Sequence, residues 1–528
     1  MPPFCRTDRR VVTIPLTLAT RQALGGKIEA EQALSESENL ASILQDAPGD
    51  HTVLVVDLDG TLCRGDLLWE GVISLVARRP SEILRLTGRL AAGKAALKRH
   101  VADREPVQAE FLPYEPAILE IVRQAHAGGR RVVLVSAADQ RHVDAVASHL
   151  GLFDEAVGVG GVAGPDVNLS GKAKADFLVA RYGLRGYDYI GDAWADLPVW
   201  HSARRAMAVQ TGARLAQAGR KDGIAIEGIT PRRQAFETLS LYLRAMRPHQ
   251  WSKNILILLP VLASHEFSGL WIALVAMLAF SLAASSAYIV NDLIDLASDR
   301  RHRRKCARPF AAGQIKATHG LVIALALVLV ATAIALVLTP PTFVLLMAVY
   351  YVATIAYSTW LKRKLLVDVV SLAGLYTARI VAGAAATGIA LSPWLLVFSM
   401  FLFFSLAAIK RQAELVDQLR ENRTDVPGRA YSTDDIPVIR SMAISSGQAS
   451  VLVLALYVHS LSASELYAVP ELIWLVCAVL FYWLSRMEIL THRGFMTDDP
   501  ILFAIRDRIS LMAGALICAI AMFAVRGW

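Results

Sequence analysis

The chain has 528 residues, of which 55% are hydrophobic, and its formal net charge at pH 7 is +8. The length allows two or more domains. The hydrophobic content exceeds that of ordinary soluble proteins, so the composition excludes a wholly soluble chain and predicts a membrane-embedded part. Nucleic-acid binding is not expected, because the basic residues cluster between apolar segments, where they set membrane topology or meet anionic lipid and phosphate.

We expect the first 50 residues to form an N-terminal extension that carries no catalytic or binding residues. It would be a loose helix or disordered. Three arginines near the start precede an apolar stretch, 11–19, that is too short and too interrupted for a signal sequence. We therefore expect the N-terminus to stay in the cytoplasm.

Asp57 and Asp59 follow a short apolar, β-branched run that begins at Thr52. Such a run predicts a buried strand of a parallel sheet. Asp57 would lie at the carboxyl end of this strand, where open α/β sheets bind their ligands, and Asp59 would point into the same crevice. Paired carboxylates there can divide attack on phosphorus and proton transfer between them. An Asp-Gly turn without chemistry is the alternative for this stretch taken alone.

Two later strand-like runs are also followed by polar side chains at the predicted carboxyl end of the strand. The run Arg131–Val135 is followed by Ser136, whose hydroxyl can hold a phosphate oxygen. The run Tyr187–Ile190 is followed by Asp192 and Asp196, whose carboxylates suit Mg²⁺. The sequence therefore predicts a phosphate and magnesium site where three strands end.

The three strand ends occur in this order, and the last is preceded by Gly171-Lys172-Ala173-Lys174. This pattern resembles the haloacid dehalogenase superfamily of phosphotransferases. The resemblance implies a Rossmann-like α/β phosphatase domain over 51–225, with a substrate-selecting helical cap within 67–129. It implies Asp57 as the nucleophile and Asp59 as the general acid/base. It also implies two phosphate holders, Ser136 and Lys174, and a magnesium site formed by Asp57, Asp59, Asp192 and Asp196.

Lys172 competes with Lys174 for the role of the phosphatase lysine. We prefer Lys174 because Leu178 follows it at helical spacing and helps to start the next helix. Taken alone, Lys174 would more often be a solvated helix residue.

A second acidic set, Asp292, Asp295 and Asp299, follows directly on a long apolar run that begins near Leu270. At helical spacing, the three carboxylates would line one face near the end of one helix. Like charges this close need a cation among them, and oxygen ligands without His or Cys suit Mg²⁺ held jointly with a substrate phosphate. A solvated helix end is the alternative, but acids at the boundary of a membrane helix usually serve function.

The apolar segments within the C-terminal region, 241–528, predict an all-α bundle of about nine transmembrane helices. A linker, 226–240, would precede it. The first span would follow a basic, aromatic stretch that ends at Asn254. The other apolar segments lie near 270–290, 319–338, 342–358, 366–386, 393–409, 441–460, 469–485 and 508–525.

The loops between these spans divide sharply by charge. Those predicted to lie outside, at 264–269, 339–342, 386–393 and 459–471, contain no Lys or Arg. The alternate loops carry the basic residues, so they should face the cytoplasm. We therefore expect a multi-pass protein of the inner membrane with both active sites on the cytoplasmic side and the C-terminus outside.

Polar groups are expected to gather at the cytoplasmic end of the bundle. Asp368 and Arg379 are eleven residues apart, close to whole helical turns, so they should share a face. Intramembrane charges need partners or a polar cavity, and a structural ion pair is the alternative to a substrate site.

The stretch Asn291-Asp292-x-x-Asp295-x-x-x-Asp299, at the end of a second helix, resembles the UbiA-type intramembrane prenyltransferases. Members that prenylate aromatic rings usually carry a second aspartate cluster, whereas this chain has the single Asp368. That departure, with Arg247-Pro248-x-Gln250-Trp251-x-Lys253-Asn254, resembles the decaprenyl-phosphate phosphoribosyltransferase branch.

The resemblance implies a transferase that moves 5-phosphoribosyl from phosphoribosyl diphosphate to a polyprenyl phosphate. Mg²⁺ would be held by Asp292, Asp295 and Asp299 with Asn291 in support, and phosphate by Lys253, Arg308, Lys362 and Arg379. Asp368 would orient a ribose hydroxyl or help with the metal. The phosphatase would then remove the 5-phosphate. The alternative is prenyl transfer from a prenyl diphosphate to an aromatic acceptor, with a separate phosphatase.

Overall fold

The computed structural model describes residues 52–162, 164, 168–210, 212–231, 234–421, 429–460, 463, 466–496 and 499–526. The predicted N-terminal extension, 1–50, lies outside the described residues. The chain forms two compact units. The first comprises Met1–Ala245 with Asp292–Leu321, and the second comprises Met246–Asn291 with Val322–Trp528.

The first unit contains a six-stranded sheet in the order β3-β2-β1-β4-β5-β6, and every pairing is parallel. The strands are β1 Val53–Val56, β2 Val132–Asp139, β3 Glu155–Val159, β4 Tyr187–Gly191, β5 Ala206–Ala208 and β6 Ile226–Gly228. The strand order reverses between β1 and β4, and open α/β sheets bind ligands at such a switch point.

Both faces of the sheet are buried, which explains the near-continuous apolar runs in its central strands. Leu54 and Val56 pack into the core on one face, while Val53 and Val55 pack into the core on the other. This alternation follows from the two-residue repeat of a strand.

In the described part of the chain, nine α-helices between residues 67 and 246 connect or follow the strands of the sheet. The predicted cap corresponds to α1, α2 and α3, and Asp66 caps α1 by accepting a hydrogen bond from the Trp69 N–H. The helices are α1 Leu67–Arg78, α2 Glu82–Ala91, α3 Lys94–Arg104, α4 Pro116–Ala127, α5 Gln140–Leu150, α6 Lys172–Tyr182, α7 Leu197–Ser202, α8 Ala213–Lys221 and α9 Ala235–Met246.

The remaining helices run from residue 259 to residue 526. They are α10 Leu259–Ser264, α11 Leu270–Ile294, α12 Leu296–Arg301, α13 Ala317–Leu338, α14 Pro341–Thr359, α15 Val367–Thr387, α16 Pro393–Arg420, α17 Ile436–Val458, α18 Ile473–His492, α19 Pro500–Arg506 and α20 Arg508–Arg526. The helical bundle of the second unit buries Ile257, Phe280 and Phe343 completely. Outward-facing apolar side chains such as Leu329 and Val337 suit a lipid surround.

Eight helices in the described part of the chain are long and apolar enough to cross a membrane, so the count of nine is not confirmed. The difference lies at the first predicted span. Residues Pro248–Leu258 form a 3₁₀ helix, which is followed by the short helix α10. Pro248 and Pro260 lack the N–H that a continuous α-helix requires, and they are the first residue of the 3₁₀ helix and the second residue of α10.

The predicted fold class is otherwise confirmed: a parallel α/β domain precedes an all-α membrane region. The boundary at residue 225 and the linker 226–240 stay predictions. The sheet itself continues to Gly228, and α9 begins at Ala235.

Candidate active sites

The first site lies where β1, β2 and β4 end. Val56 aligns with Leu134 of β2 and with Ile190 of β4, and the Asp57 N–H donates to the Ile190 carbonyl at 3.0 Å. Residues just beyond these aligned positions therefore reach the same edge of the sheet. The strand end predicted before Ser136 is wrong, because β2 continues to Asp139 and includes Ser136. Asp57 and Ser136 are buried there, and Asp192 is half-buried.

Three carboxylates meet at this edge. One oxygen each of Asp57, Asp192 and Asp196 lie within 4.8 Å of one another, the one set of three potential metal-ligating side chains found among the described residues. Clustered carboxylate oxygens, without His or Cys, match the ligand preference of Mg²⁺. The donor set therefore fits the predicted metal.

Lys174 holds this acidic group together. Its ammonium donates to Asp57 Oδ1 and to the Tyr189 hydroxyl, each at 2.9 Å, and it is 2% exposed. Burial raises the pKa of Asp57 to about 6, although Lys174 acts in the opposite direction. Burial also lowers the pKa of Lys174, but Asp57 and Asp196 outweigh it and leave the net pKa raised. The lysine is therefore a charged partner of the nucleophile candidate.

Tyr189 and Asp196 form a second layer beneath this pair. The Tyr189 hydroxyl donates to Asp196 Oδ1 at 2.8 Å, and Asp196 Oδ2 accepts from the N–H groups of Asp192 and Ala193. Asp196 thus fixes the loop that carries Asp192. Tyr189 was not predicted as a site residue; its polar ring within an otherwise apolar strand was the available signal.

Asp59 and Ser136 are the other two predicted residues of this crevice. Asp59 Oδ1 accepts from the Leu67 N–H at 3.0 Å, which ties it to the start of the cap helix α1. Burial raises the pKa of Asp59 well above its ordinary value, with the charge of Asp66 adding to the effect. Ser136 Oγ accepts from the Ala138 N–H at 3.1 Å. A carboxyl with a raised pKa is suited to hold a proton for transfer.

Gly60 permits the close approach of these loops. Its φ is +78°, and a Cβ at this position would lie 2.2 Å from Asp192 Oδ2. Any larger residue would therefore strain the backbone and displace Asp192.

The aspartates of the second predicted site differ from the expected arrangement. The helix does not run continuously past them: α11 ends at Ile294 and α12 begins at Leu296, with Asp295 between them at φ −88° and ψ 6°. The prediction of one continuous helix through the three aspartates is therefore wrong at Asp295, and the shared face of the three carboxylates stays a prediction. Short polar side chains such as Asp compete for backbone hydrogen bonds and favour such helix ends.

Arg308 lies between the other two aspartates. Its Nη1 is 3.2 Å from Asp292 Oδ1 and 2.5 Å from Asp299 Oδ2. Burial raises the pKa of Asp299 to about 6, while Arg308 opposes that rise. Asp292 and Asp299 thus already share one cation, and the fold brings a predicted phosphate contact into the aspartate motif. Asn291 is half-buried on the last turn of α11.

In the second unit, Arg379 is buried within the helical bundle. Its Nε donates to Asn254 Oδ1 at 2.9 Å, and its Nη2 donates to the Tyr350 hydroxyl at 2.7 Å. Lys253 pairs with Asp499. Both cations face one aromatic ring, because Lys253 Nζ and Arg379 Cζ lie 5.8 and 5.3 Å from the centroid of Tyr376.

Asp368 shares helix α15 with Arg379 but has different partners. Its carboxylate pairs with Arg411 and Arg429, and it accepts a hydrogen bond from the Tyr431 hydroxyl. Asp368 and Arg411 are both 0% exposed. The ion pair that the sequence left open would have joined Asp368 to Arg379, whereas Asp368 pairs with Arg411 and Arg429 instead. Lys362 lies on the 3₁₀ helix Leu361–Arg363 and is half-buried.

Several of these polar residues were not predicted as site residues from the sequence. Tyr350, Asp499 and Arg429 come from other helices and loops, so no local spacing links them to Lys253 or Asp368. Tyr376 does share α15 with Asp368, three residues before Arg379, but was not predicted. Their only local signal was a polar side chain within or beside an apolar segment.

The chain matches the models of two families. Residues 54–201 match the haloacid dehalogenase-like hydrolase family, and residues 255–483 match the UbiA prenyltransferase family. The first match covers the crevice at the sheet edge, and the second covers most of the helical bundle together with the aspartate motif.

Three relatives illustrate the similarity. Uncharacterized protein y4nM of Sinorhizobium fredii is 35% identical over 476 residues, which cover 89% of this chain and 91% of that protein. Nodulation protein NoeC of Azorhizobium caulinodans is 35% identical over 276 residues, covering 51% of this chain and 89% of NoeC. Decaprenyl-phosphate phosphoribosyltransferase of Mycobacterium tuberculosis is 31% identical over 287 residues, covering 53% of this chain and 92% of that enzyme.

These matches agree with the two folds and with the apolar helices described above. The chain is an integral, multi-pass membrane protein and a transferase with a fused phosphatase domain. It belongs to the UbiA prenyltransferase family and carries a haloacid dehalogenase-like hydrolase domain on its N-terminal side.

Proposed function

We propose that the UbiA-type part transfers 5-phosphoribosyl from phosphoribosyl diphosphate to a polyprenyl phosphate. In this reaction the bond from ribose C1 to the diphosphate oxygen breaks, and a lipid phosphate oxygen forms the new bond to C1. The observation that carries the proposal is the 31% identity to a decaprenyl-phosphate phosphoribosyltransferase over 92% of that enzyme. The single Asp368, in place of a second aspartate cluster, also favours this acceptor over an aromatic ring.

The aspartate motif supports binding of the donor. Asp292 and Asp299 surround Arg308, so carboxylates and a cation are available together. Asp292, Asp295 and Asp299, with Asn291 in support, would hold Mg²⁺, which supplies charge neutralisation for the departing diphosphate. Arg308 contributes a fixed positive charge beside the same group, where it can bind a phosphate oxygen.

The cations of the bundle are candidates for the remaining phosphate contacts. Lys253 and Arg379 meet at the Tyr376 ring, and each is held by a hydrogen bond to a neighbouring polar side chain. We assign them to phosphate binding. Lys362 is a further candidate, and Asp368 would orient a ribose hydroxyl through the cluster around it or help with the metal.

We further propose that the hydrolase domain removes the 5-phosphate from the phosphoribosyl lipid. Asp57 would attack phosphorus, and Asp59, tied to the cap at 3.0 Å, would protonate the departing ribose oxygen. Water then cleaves the aspartyl phosphate and releases inorganic phosphate. Ser136 and Lys174 would hold the phosphate, while Asp57, Asp192 and Asp196, with Asp59 nearby, would provide the magnesium site.

Fusion gives this order of reactions a physical advantage. The product of the transferase is a phosphomonoester anchored in the membrane, and a tethered phosphatase meets it at a raised effective concentration. The one-sided distribution of Lys and Arg among the loops supports a cytoplasmic location for both sites.

The test follows labelled ribose in purified, full-length protein supplied with polyprenyl phosphate, labelled phosphoribosyl diphosphate and Mg²⁺. The parent should yield a ribosyl lipid without the 5-phosphate. Asp57→Asn should accumulate the phosphorylated lipid while transfer continues, and Asp292→Asn should abolish both products.

Two results would contradict the proposal. Equal amounts of dephosphorylated lipid from the parent and from Asp57→Asn would refute the phosphatase assignment alone. Label that never enters lipid, together with consumption of a prenyl diphosphate in the presence of an aromatic acceptor, would refute the transferase assignment.

A further inference from the structure

A segment that follows the aspartate motif packs against the phosphatase crevice within the first unit. This 300–316 segment runs from Arg300, near the end of α12, to Lys316, just before α13. It contacts the phosphatase domain at four places along its length.

Arg300 anchors the start of the segment. Its Nη1 and Nη2 bind the two carboxylate oxygens of Glu70 at 2.8 and 2.9 Å, a two-point contact with a residue of α1. The side chains of Arg300 and Glu70 are only 8% and 12% exposed. A bidentate, largely desolvated pair fixes orientation as well as position.

The neighbouring contacts are equally specific. Arg301 bonds Gln108, and its guanidinium lies 5.7 Å from the ring centroid of Phe111. Gly313 lies against Arg64 and Pro113, so closely that an added Cβ would stand 2.6 Å from Arg64 Cβ. Because Gly313 also has φ +65°, this position accepts glycine alone without strain.

The segment ends with a cation at the acidic group. Lys316 Nζ is 2.9 Å from Asp192 Oδ2. Lys174 contacts Asp57, and Lys316 contacts Asp192, so two different carboxylates of the acidic group each have a lysine.

We propose that the 300–316 segment is part of the phosphatase site and that Lys316 binds the phosphate group of the phosphatase substrate. This inference rests on the proposed phosphatase function. Asp57 attacks phosphorus, so the scissile phosphate must lie beside the acidic group that Lys316 reaches. A phosphomonoester brings two negative charges toward several carboxylates, and a second lysine offsets that repulsion. The side chain of Lys316 is 49% exposed, so it can turn from Asp192 toward an entering phosphate.

The test measures hydrolysis of p-nitrophenyl phosphate by the full-length protein with saturating Mg²⁺, with inorganic phosphate as a competitive inhibitor. Lys316→Ala should raise KM and the inhibition constant of phosphate about 10-fold each, with kcat changed less than about 3-fold, because one charged hydrogen bond is lost. Lys316→Arg should restore most of the affinity. Arg303→Ala is the matched control, since it removes an exposed cation from the same segment.

Direct titration of inorganic phosphate into each protein makes the result independent of turnover. Unchanged phosphate affinity and KM in Lys316→Ala, with an active parent, would overturn the role of Lys316 and leave the phosphatase assignment standing. A fall in kcat alone would indicate a structural role and would also overturn it. A parent that neither hydrolyses the ester nor binds phosphate would overturn both proposals.

Discussion

At the scale of single residues, two lysines two positions apart occupy very different environments. Lys174 is buried and donates to Asp57 at 2.9 Å, whereas Lys172 is exposed at the first position of α6. The sequence offered both as the phosphatase lysine. The geometry favours Lys174, because a phosphate bound at Asp57 would lie within reach of its ammonium.

Lys174→Ala should therefore reduce phosphatase activity by about 100-fold or more, because it removes a buried cation from the place where charge develops. Hydrolysis of p-nitrophenyl phosphate by the full-length protein measures this effect. Lys172→Ala removes an equal charge from the same helix and should keep parental activity. Equal losses in the two variants would contradict the assignment.

At the scale of secondary-structure elements, the predicted and observed bounds of helices and strands can be compared. Most strand runs and long apolar helices have bounds close to those expected from periodicity, but β2 continues to Asp139 and α16 continues to Arg420, eleven residues beyond the predicted end at 409. Other departures occur at Pro248 and Pro260, which interrupt the first predicted span, and at Asp295, which interrupts the helix of the aspartate motif. Each is a residue whose side chain or missing N–H competes with helical hydrogen bonding.

Helices α15 and α16 are joined by the buried pair of Asp368 and Arg411. Arg411→Met should destabilise the protein by about 3–5 kcal/mol, because it leaves part of the Asp368 charge buried without its partner. Asp368→Asn combined with Arg411→Met should recover much of that loss. Thermal unfolding in detergent, followed by intrinsic fluorescence, measures both variants.

The double variant also separates a structural role from a role in catalysis. If stability recovers and transferase activity recovers with it, the pair serves the packing of α15 against α16. Recovered stability without transferase activity would place Asp368 or Arg411 at the substrate. A single Arg411→Met variant as stable as the parent would contradict the buried pair.

At the scale of the whole molecule, the distribution of charge among loops predicts membrane topology. The loop 388–392 should face the outside, and the segment 421–435 should face the cytoplasm. Ala390→Cys, in a protein whose native cysteines have been replaced, should react with a membrane-impermeant maleimide in intact cells, whereas Ala430→Cys should react only after permeabilisation. Both positions are exposed, so accessibility reports the side of the membrane.

The opposite labelling pattern would invert the topology and move both proposed sites to the outer side. Labelling of both residues in intact cells would indicate that α16 does not cross the membrane. Neither result would alter the family, because the helices and the parallel sheet are independent of orientation.

The sequence by itself determined the strand ends with their carboxylates, the long apolar helices and the charge asymmetry of the loops. These features are local: periodicity, composition and turn-forming residues act over a few neighbours. They were sufficient to predict a parallel α/β domain followed by a helical membrane region.

Only the tertiary structure decided which charges meet. Arg308 between Asp292 and Asp299, Arg411 at Asp368, and Lys316 at Asp192 each join different elements. Lys316 and Asp192 are 124 residues apart, so no local pattern could link them. Which charged groups pair depends on the distance between them and on their desolvation. Both are defined only after the chain has packed.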